Sequence, residues 1–198
     1  MPRITADTVA EHIAQQEAAV IAAATRLFAE RGVAQVSLAT IASEVGLARN
    51  SLYRYFPDKG HILAAWFRAE LAPLQEASTA IATADEPADE RLDAWLRLHL
   101  DYLTAPEHQA MMTAATEMSS VTDDVRADIA EGHRDLYATL GLIVGDLLRD
   151  TDPPRDARVV TMLVTGLLRS AADLVVGGGA DTDGVRTELL RAARATVI

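Results

Sequence analysis

Apolar residues recur along this chain at intervals of three and four, and almost nowhere alternate one by one with polar ones. That spacing lines apolar side chains along one face of an α-helix, whereas a half-buried strand needs a period of two. The pattern predicts nine helices and no strands. The first spans about 8–31, with Val20, Ala24, Leu27 and Phe28 on its apolar face and Gly32 as its terminator. Two short helices follow at about 37–45 and 48–53, separated by Gly46-Leu47. Pro57-Asp58 closes that block, and Asp58 is placed to cap a fourth helix over about 59–78. The rest reads as helices at about 88–104, 106–118, 121–149, 154–176 and 182–196. They are punctuated by Pro106, Ser119-Ser120, Asp152-Pro153-Pro154 and Gly177–Gly179. The expected architecture is all-α, a three-helix N-terminal head joined by the fourth helix to a larger C-terminal bundle.

Charge sharpens this division. The 198 residues carry a net charge of −11. Residues 1–60 hold six basic and six acidic side chains, so the whole excess of negative charge lies beyond them. An acidic chain is repelled by nucleic acid unless one surface is spared, and here only the head is spared. Lys59, the sole lysine, sits at its edge. The absence of cysteine excludes disulfides, thiolate zinc sites and a cysteine nucleophile. No run approaches 18 consecutive apolar residues, and the first residues lack a basic stretch followed by an apolar one. A cytoplasmic protein without a membrane span is therefore expected.

Residues 37–55, SLATIASEVGLARNSLYRY, carry the most specific pattern. Ser37 offers a cap, and Leu38, Ile41, Ala42 and Val45 form one stripe. Gly46 tolerates the positive φ that a tight turn between crossing helices requires. Leu47 and Leu52 can then pack the second helix on the first, leaving Arg49, Asn50, Ser51 and Tyr53 on or beside the outward face. These residue types suit DNA, because arginine pairs with guanine, asparagine with adenine, and hydroxyls reach bases or phosphates. An ordinary helical hairpin with a solvated polar face has the same pattern, and this stretch alone leaves both readings open.

The flanks add linked motifs in fixed order: A-x-x-L-F-A-E-R-G over 24–32, I-A-x-x-V-G-L over 41–47, and L-Y-R-Y-F-P-x-K over 52–59. Together, residues 17–66 resemble the N-terminal domain of the tetracycline-repressor (TetR) family of transcription factors. The resemblance implies a DNA-binding domain over 1–58 and a ligand-binding and dimerisation domain over 59–198. It implies a recognition helix at 48–53 that brings Arg49, Asn50 and Ser51 to base edges. Tyr53, Arg54, Tyr55 and Lys59 would approach phosphates, as would Thr40 and the helix N-termini at Ser37 and Asp58. Gly60 departs from the family, which often has an acidic residue there, so a weaker helix start and a less paired Lys59 are expected. Leu27, Phe28 and Phe56 are assigned to packing.

In this family the C-terminal helices form a homodimer and usually enclose a small-molecule pocket. Candidate lining residues are Trp95, His99 and Tyr102, which share one face with Leu92, then Met111, Met112 and Ala115, and then His133 and Tyr137. Apolar walls with a few polar groups make a pocket, yet the same stripes serve equally as core. For the dimer, the helix at 154–176 offers Val159, Leu163, Gly166, Ser170 and Leu174 beside Met162, Thr165 and Arg169. The last helix is expected to add Leu189, Ala192 and Ala193.

Several patterns imitate enzymes. His133-Arg134-Asp135-Leu136 spells a kinase tetrad without the accompanying glycine-rich and metal-binding motifs. Gly177–Gly179 follows no strand, and Asp181-Thr182-Asp183-Gly184 lacks the alternating ligands of a calcium loop and fits a helix cap better. The spacing of His99, His108 and His133 is not that of metal ligands on one turn. No catalytic, metal or cofactor site is expected. The sequence points to a homodimeric regulator, a repressor released from a palindromic DNA operator by a small apolar effector. Helix 4 is expected to be the only covalent strut between head and bundle. The competing reading is an all-α small-molecule binding or catalytic protein whose head no longer binds DNA.

Overall fold

The computed structural model describes the backbone of residues 6–117 and 123–197; the side chains of 6–8, 117, 124–126, 128–130 and 133 lie outside the description. The predicted end of the helix at 106–118, the predicted start of that at 121–149 and the His133 side chain therefore fall outside the described residues. Among those described there are nine α-helices and no strand: α1 (Ala6–Arg31), α2 (Leu38–Glu44), α3 (Arg49–Leu52), α4 (Lys59–Ala82), α5 (Ala88–Thr104), α6 (Pro106–Glu117), α7 (Asp123–Leu148), α8 (Ala157–Val176) and α9 (Thr182–Val197).

The helices fall into two compact units, and the chain passes from one to the other at 69/70 in α4, 109/110 in α6 and 129/130 in α7. Helices α4, α6 and α7 each run from one unit to the other. A sequence pattern shows where helices begin and end but not which unit each half of a helix joins.

In the N-terminal unit α1 buries Val20, Ala24, Leu27 and Phe28. It ends at Gly32, whose φ of 75° lets its N–H return to the Phe28 carbonyl at 2.9 Å. A short 3-10 turn, Val33–Gln35, leads to α2. Ile41 and Ala42 of α2, Leu52 of α3 and Phe56 beyond it are all buried, as are Ile62 and Leu63 of α4.

Helix α4 runs four residues beyond its predicted end at Ser78. The Ser78 hydroxyl donates to its own helix at the Leu74 carbonyl (2.7 Å) and so leaves the backbone ladder intact. Pro73 lies inside this helix. Lacking an N–H, it leaves the Ala69 carbonyl without its helical donor at the point where the two units divide.

The C-terminal unit has one core. Leu92, Trp95, Leu96 and Leu100 of α5 meet Leu140, Ile143 and Val144 of α7, Val160, Val164 and Leu168 of α8, and Leu189 and Ala193 of α9. Ion pairs tie α5 to its neighbours: Arg194 grips Asp93 with two N–H···O bonds of 3.0 and 2.9 Å, and Arg91 meets Asp146 at 2.8 Å. Helices α8 and α9 are joined through Gly177–Gly179, with Gly179 at φ 61°. Asp181 then caps α9 by accepting the Gly184 N–H at 2.8 Å, as its position ahead of the helix suggested.

Two faces of α8 differ sharply. Val160, Val164 and Leu168 are buried, while Val159, Met162, Leu163 and Leu174 are more than half exposed. Leu189 and Ala193 of α9, expected at a subunit interface, are instead part of the core; Ala192 lines an apolar groove of about 340 Å³ with Leu167, Leu174 and Val185. The expectation failed because α9 has one apolar stripe, and that stripe is used inside the protomer. Helix α8 is the one described helix long and apolar enough to cross a membrane, with a mean hydropathy of 1.7 over its best window. It also carries Arg158, Arg169 and Asp173 and packs one face into this core.

Candidate nucleic-acid interface

The interface is built on the α2–turn–α3 segment. Ser37 caps α2, its Oγ accepting the Thr40 N–H at 3.1 Å and lying 2.9 Å from the Thr40 hydroxyl. The helix closes at Gly46, φ 69°, with the Leu47 N–H bonded to the Ala42 carbonyl (2.8 Å) and the Gly46 N–H to that of Ser43 (3.3 Å). This paired closure is the Schellman arrangement, which needs a residue at positive φ and so accounts for the glycine. It delivers α3 at a fixed angle, and Leu52, with no exposed surface, pins that helix from below.

Pinning Leu52 decides what faces out. Arg49, Asn50, Tyr53 and Arg54 are exposed, while Ser51 and Tyr55 are half-buried at the margin. Arg49 donates to the Tyr53 hydroxyl at 3.0 Å, and its guanidinium carbon lies 5.6 Å from the centre of that ring. Arg26, also basic and exposed, is spent on Glu30 and Glu44. Thr40 is half-buried at the first turn of α2.

The start of α4 is firmer than Gly60 led one to expect. Asp58 accepts the His61 N–H at 3.0 Å and also meets the His61 ring at 2.9 Å, so an imidazole closes the cap where an acidic side chain often does. Burial raises the cost of ionising Asp58, but the bonds from His61 outweigh it and hold the carboxyl below its ordinary range. Lys59 is not left loose either. Its half-buried ammonium donates to the Val33 carbonyl at 2.7 Å, tying the first residue of α4 to the turn after α1. One N–H is used there and two remain.

The other predicted residues divide between the units. Met111, Met112 and Ala115 belong to the N-terminal unit, with Met111 buried and Met112 exposed. Trp95, His99, Tyr102 and Tyr137 belong to the C-terminal unit. There Trp95 and His99 stack with ring centres 3.5 Å apart, both fully enclosed. Trp95 Nε1–H donates to Thr139 at 2.8 Å, and His99 Nε2 meets Ser78 at 2.9 Å. Burial drives the His99 pKa down to about 3, so its ring is neutral. The Tyr137 ring lies 6.2 Å from that of Trp95, and the Arg169 guanidinium stands over it at 5.6 Å.

Tyr102 packs on His108 at 4.6 Å, and its buried hydroxyl has no hydrogen-bond partner among the described residues. Burial, aided by the charge of Glu70, pushes its pKa up to about 12. Ser78, Thr139 and Arg169 were not anticipated as partners of this aromatic array. They lie 21, 44 and 32 residues from the rings they touch, and no local pattern signals such pairings. Among the described residues no three His, Asp or Glu side chains are placed to hold a metal.

A short exposed helix bearing arginine, asparagine and tyrosine, set by a glycine turn on a helix beneath it, is a helix-turn-helix head. The model of the tetR family of bacterial regulatory proteins matches residues 20–66, which contain this head entirely from the end of α1 to the start of α4. Through this head the chain is similar to transcriptional regulators of that family. The HTH-type transcriptional regulator TtgR of Pseudomonas putida is 28% identical over 176 residues, 80% of this chain and 81% of that protein. A TetR-family transcriptional regulator from Streptomyces coelicolor superposes with a TM-score of 0.69 at 20% identity, covering 91% of this chain and 93% of its own. The regulator FadR from Bacillus subtilis, in complex with stearoyl-CoA, gives 0.67 at 20% identity over 90% and 94%. The two structures share the all-α fold across nearly the whole length of both chains. All three relatives are transcriptional regulators.

Proposed function

We propose that the protein is a homodimeric cytoplasmic repressor that leaves a palindromic operator when a small apolar effector binds. The carrying observation is the outward face of α3, where Arg49 and Asn50 stand exposed on a helix that fully buries Leu52. In this reading residues 1–58 dock on DNA. Arg49, Asn50 and Ser51 meet base edges, while Tyr53, Arg54, Tyr55, Lys59 and Thr40 meet the backbone. Residues 59–198 bind effector and partner subunit.

The exposed stripe of α8 supports pairing. Val159, Met162, Leu163 and Leu174 form an apolar face that a second copy can cover across a two-fold axis, with Gly166 and Ser170 permitting close approach. The effector lies beside Trp95, Tyr102 and Tyr137, whose rings offer apolar walls and whose Tyr102 hydroxyl offers a polar contact. Its binding reaches the head through α4 and α6, both continuous from unit to unit. The effector must prefer the released state, because equal affinity for both shifts nothing.

The test is binding of the purified dimer to a labelled duplex selected from a random pool, repeated as salt is raised. Arg54 and Lys59 on two protomers neutralise about four phosphates, giving a salt slope near −3.6 and a loss of about 150-fold between 50 and 200 mM. Compounds that raise thermal stability are then titrated into the complex, and about 5- to 150-fold weaker DNA binding is expected. A protein without DNA affinity at 50 mM salt would be a ligand-binding protein with a silent head, and the repressor reading would fall.

A further inference from the structure

An arginine on an exposed four-residue helix has four rotatable side-chain bonds and no packing to hold it. Arg49 nevertheless has a defined place. It stands one helical turn before Tyr53, donates from Nη2 to the Tyr53 hydroxyl at 3.0 Å, and lies over that ring with its Cζ 5.6 Å from the centre. No carboxylate pairs with it among the described residues, so Tyr53 is the group that orients it. Tyr53 is itself anchored. Its N–H bonds to the Arg49 carbonyl at 3.3 Å, and its chain neighbour Leu52 is fully buried. The guanidinium keeps four of its five N–H donors, enough for a two-pronged contact, and the tyrosine hydroxyl keeps its own proton after accepting from Arg49.

We infer that Tyr53 is a positioning residue for base readout. Its ring and hydroxyl hold the Arg49 fork in the orientation that reads one guanine per half-site, while the free hydroxyl proton serves the backbone. The inference rests on the reading of α3 as the DNA-contacting helix. It adds that sequence preference at the Arg49 base pair depends on an oxygen of Tyr53 that touches no base. A fork already oriented loses less side-chain entropy on docking, and a fork held at one angle discriminates between bases better than a mobile one.

The full-length native protein, Arg49→Ala, Tyr53→Phe and the double variant are each used to select from a randomised duplex pool. The best duplex and its single-base variants are then titrated by fluorescence anisotropy. Native protein should prefer guanine at one position per half-site by about 5- to 150-fold, and Arg49→Ala should abolish that preference. Tyr53→Phe keeps the ring but removes the acceptor, and should lower the same preference by about 2- to 10-fold. In the Arg49→Ala background it should leave the base preferences unchanged. Uniform weakening by Tyr53→Phe across all duplexes, with base ranking intact, would reduce Tyr53 to a phosphate contact and overturn the inference alone. Sharpened preference would show the contact to be a mask that DNA must break, and would overturn it too. A pool that native protein fails to enrich would overturn the DNA reading itself. A measurement without DNA stands beside these: the Arg49 Nε–H resonance should be ring-shifted in native protein and Tyr53→Phe and revert in Tyr53→Leu. An unchanged resonance in Tyr53→Leu would remove the contact on which the inference stands.

Discussion

Met162, at the middle of α8, leaves 75% of its surface in solvent on a single protomer, beside Leu163 at 55%. Replacing Met162 with glutamate tests whether a second copy covers this face. Full burial of a methionine is worth about 1.5–3 kcal/mol, so covering the exposed three-quarters contributes about 1–2 kcal/mol. A two-fold axis counts that term twice, giving about 2–4 kcal/mol per dimer. The glutamate forfeits this and desolvates two carboxylates of like charge. The dimer dissociation constant should therefore rise at least about 30- to 1,000-fold. Sedimentation velocity over a concentration series reads the constant directly, and circular dichroism verifies that the protomer still folds, as expected for a side chain outside the core. Met162→Leu should dimerise almost as well as native protein, because it keeps most of the apolar area. Leu163→Glu, one residue along the same face, guards against Met162 lying at the rim. Native-like dimerisation by both glutamate variants would refute pairing through this face.

Other outcomes follow from single contacts. Lys59→Ala removes the bond to the Val33 carbonyl, and should lower head stability by about 1 kcal/mol in thermal melts and reduce the salt slope of DNA binding by about one unit per protomer; an unchanged slope would remove Lys59 from the phosphates. His99 is neutral in the folded protein because burial lowers its pKa to about 3, whereas the unfolded chain takes up a proton below pH 6.5. Stability should accordingly fall as pH drops from about 6.5 toward 3, by up to about 1.4 kcal/mol per pH unit. Denaturant midpoints should show a shallower fall for His99→Gln, and equal slopes would discount His99. Pro73→Ala restores a helical N–H facing Ala69, and should raise stability by about 1–3 kcal/mol while weakening the coupling between effector and operator. Stabilisation with undiminished coupling, measured by effector titration of the DNA complex, would show that the missing N–H at Pro73 is not used.

The head was the most legible part of the molecule, for local reasons. Gly32 and Gly46 adopt the positive φ angles their positions suggested, and Ser37 and Asp58 cap the helices they precede. Each of these features depends on residues within about five positions of one another, and such geometry is written in short motifs. The burial of Leu52 with Arg49 and Asn50 exposed follows from the same periodicity. The pairing of Arg49 with Tyr53 spans only one turn but was not read, because both residues were treated as separate ligands of DNA. Lys59 was misjudged for the opposite reason: its partner, the Val33 carbonyl, lies 26 residues away.

In the C-terminal helices the sequence determined that α5 and α8 are amphipathic and that Trp95, His99 and Tyr102 share one face with Leu92. It could not determine whether that face encloses a ligand or only other side chains, since both require the same apolar spacing. Tertiary structure brought Ser78 to His99 and Thr139 to Trp95, so each of two buried polar rings has a hydrogen-bond partner, while leaving the Tyr102 hydroxyl unpartnered among the described residues. It also assigned the one apolar stripe of α9 to the protomer's own core and left a whole face of α8 uncovered. Helical periodicity fixes which side chains lie together on a helix. Which helix each face then meets depends on packing between segments far apart in the chain, and no local spacing encodes it.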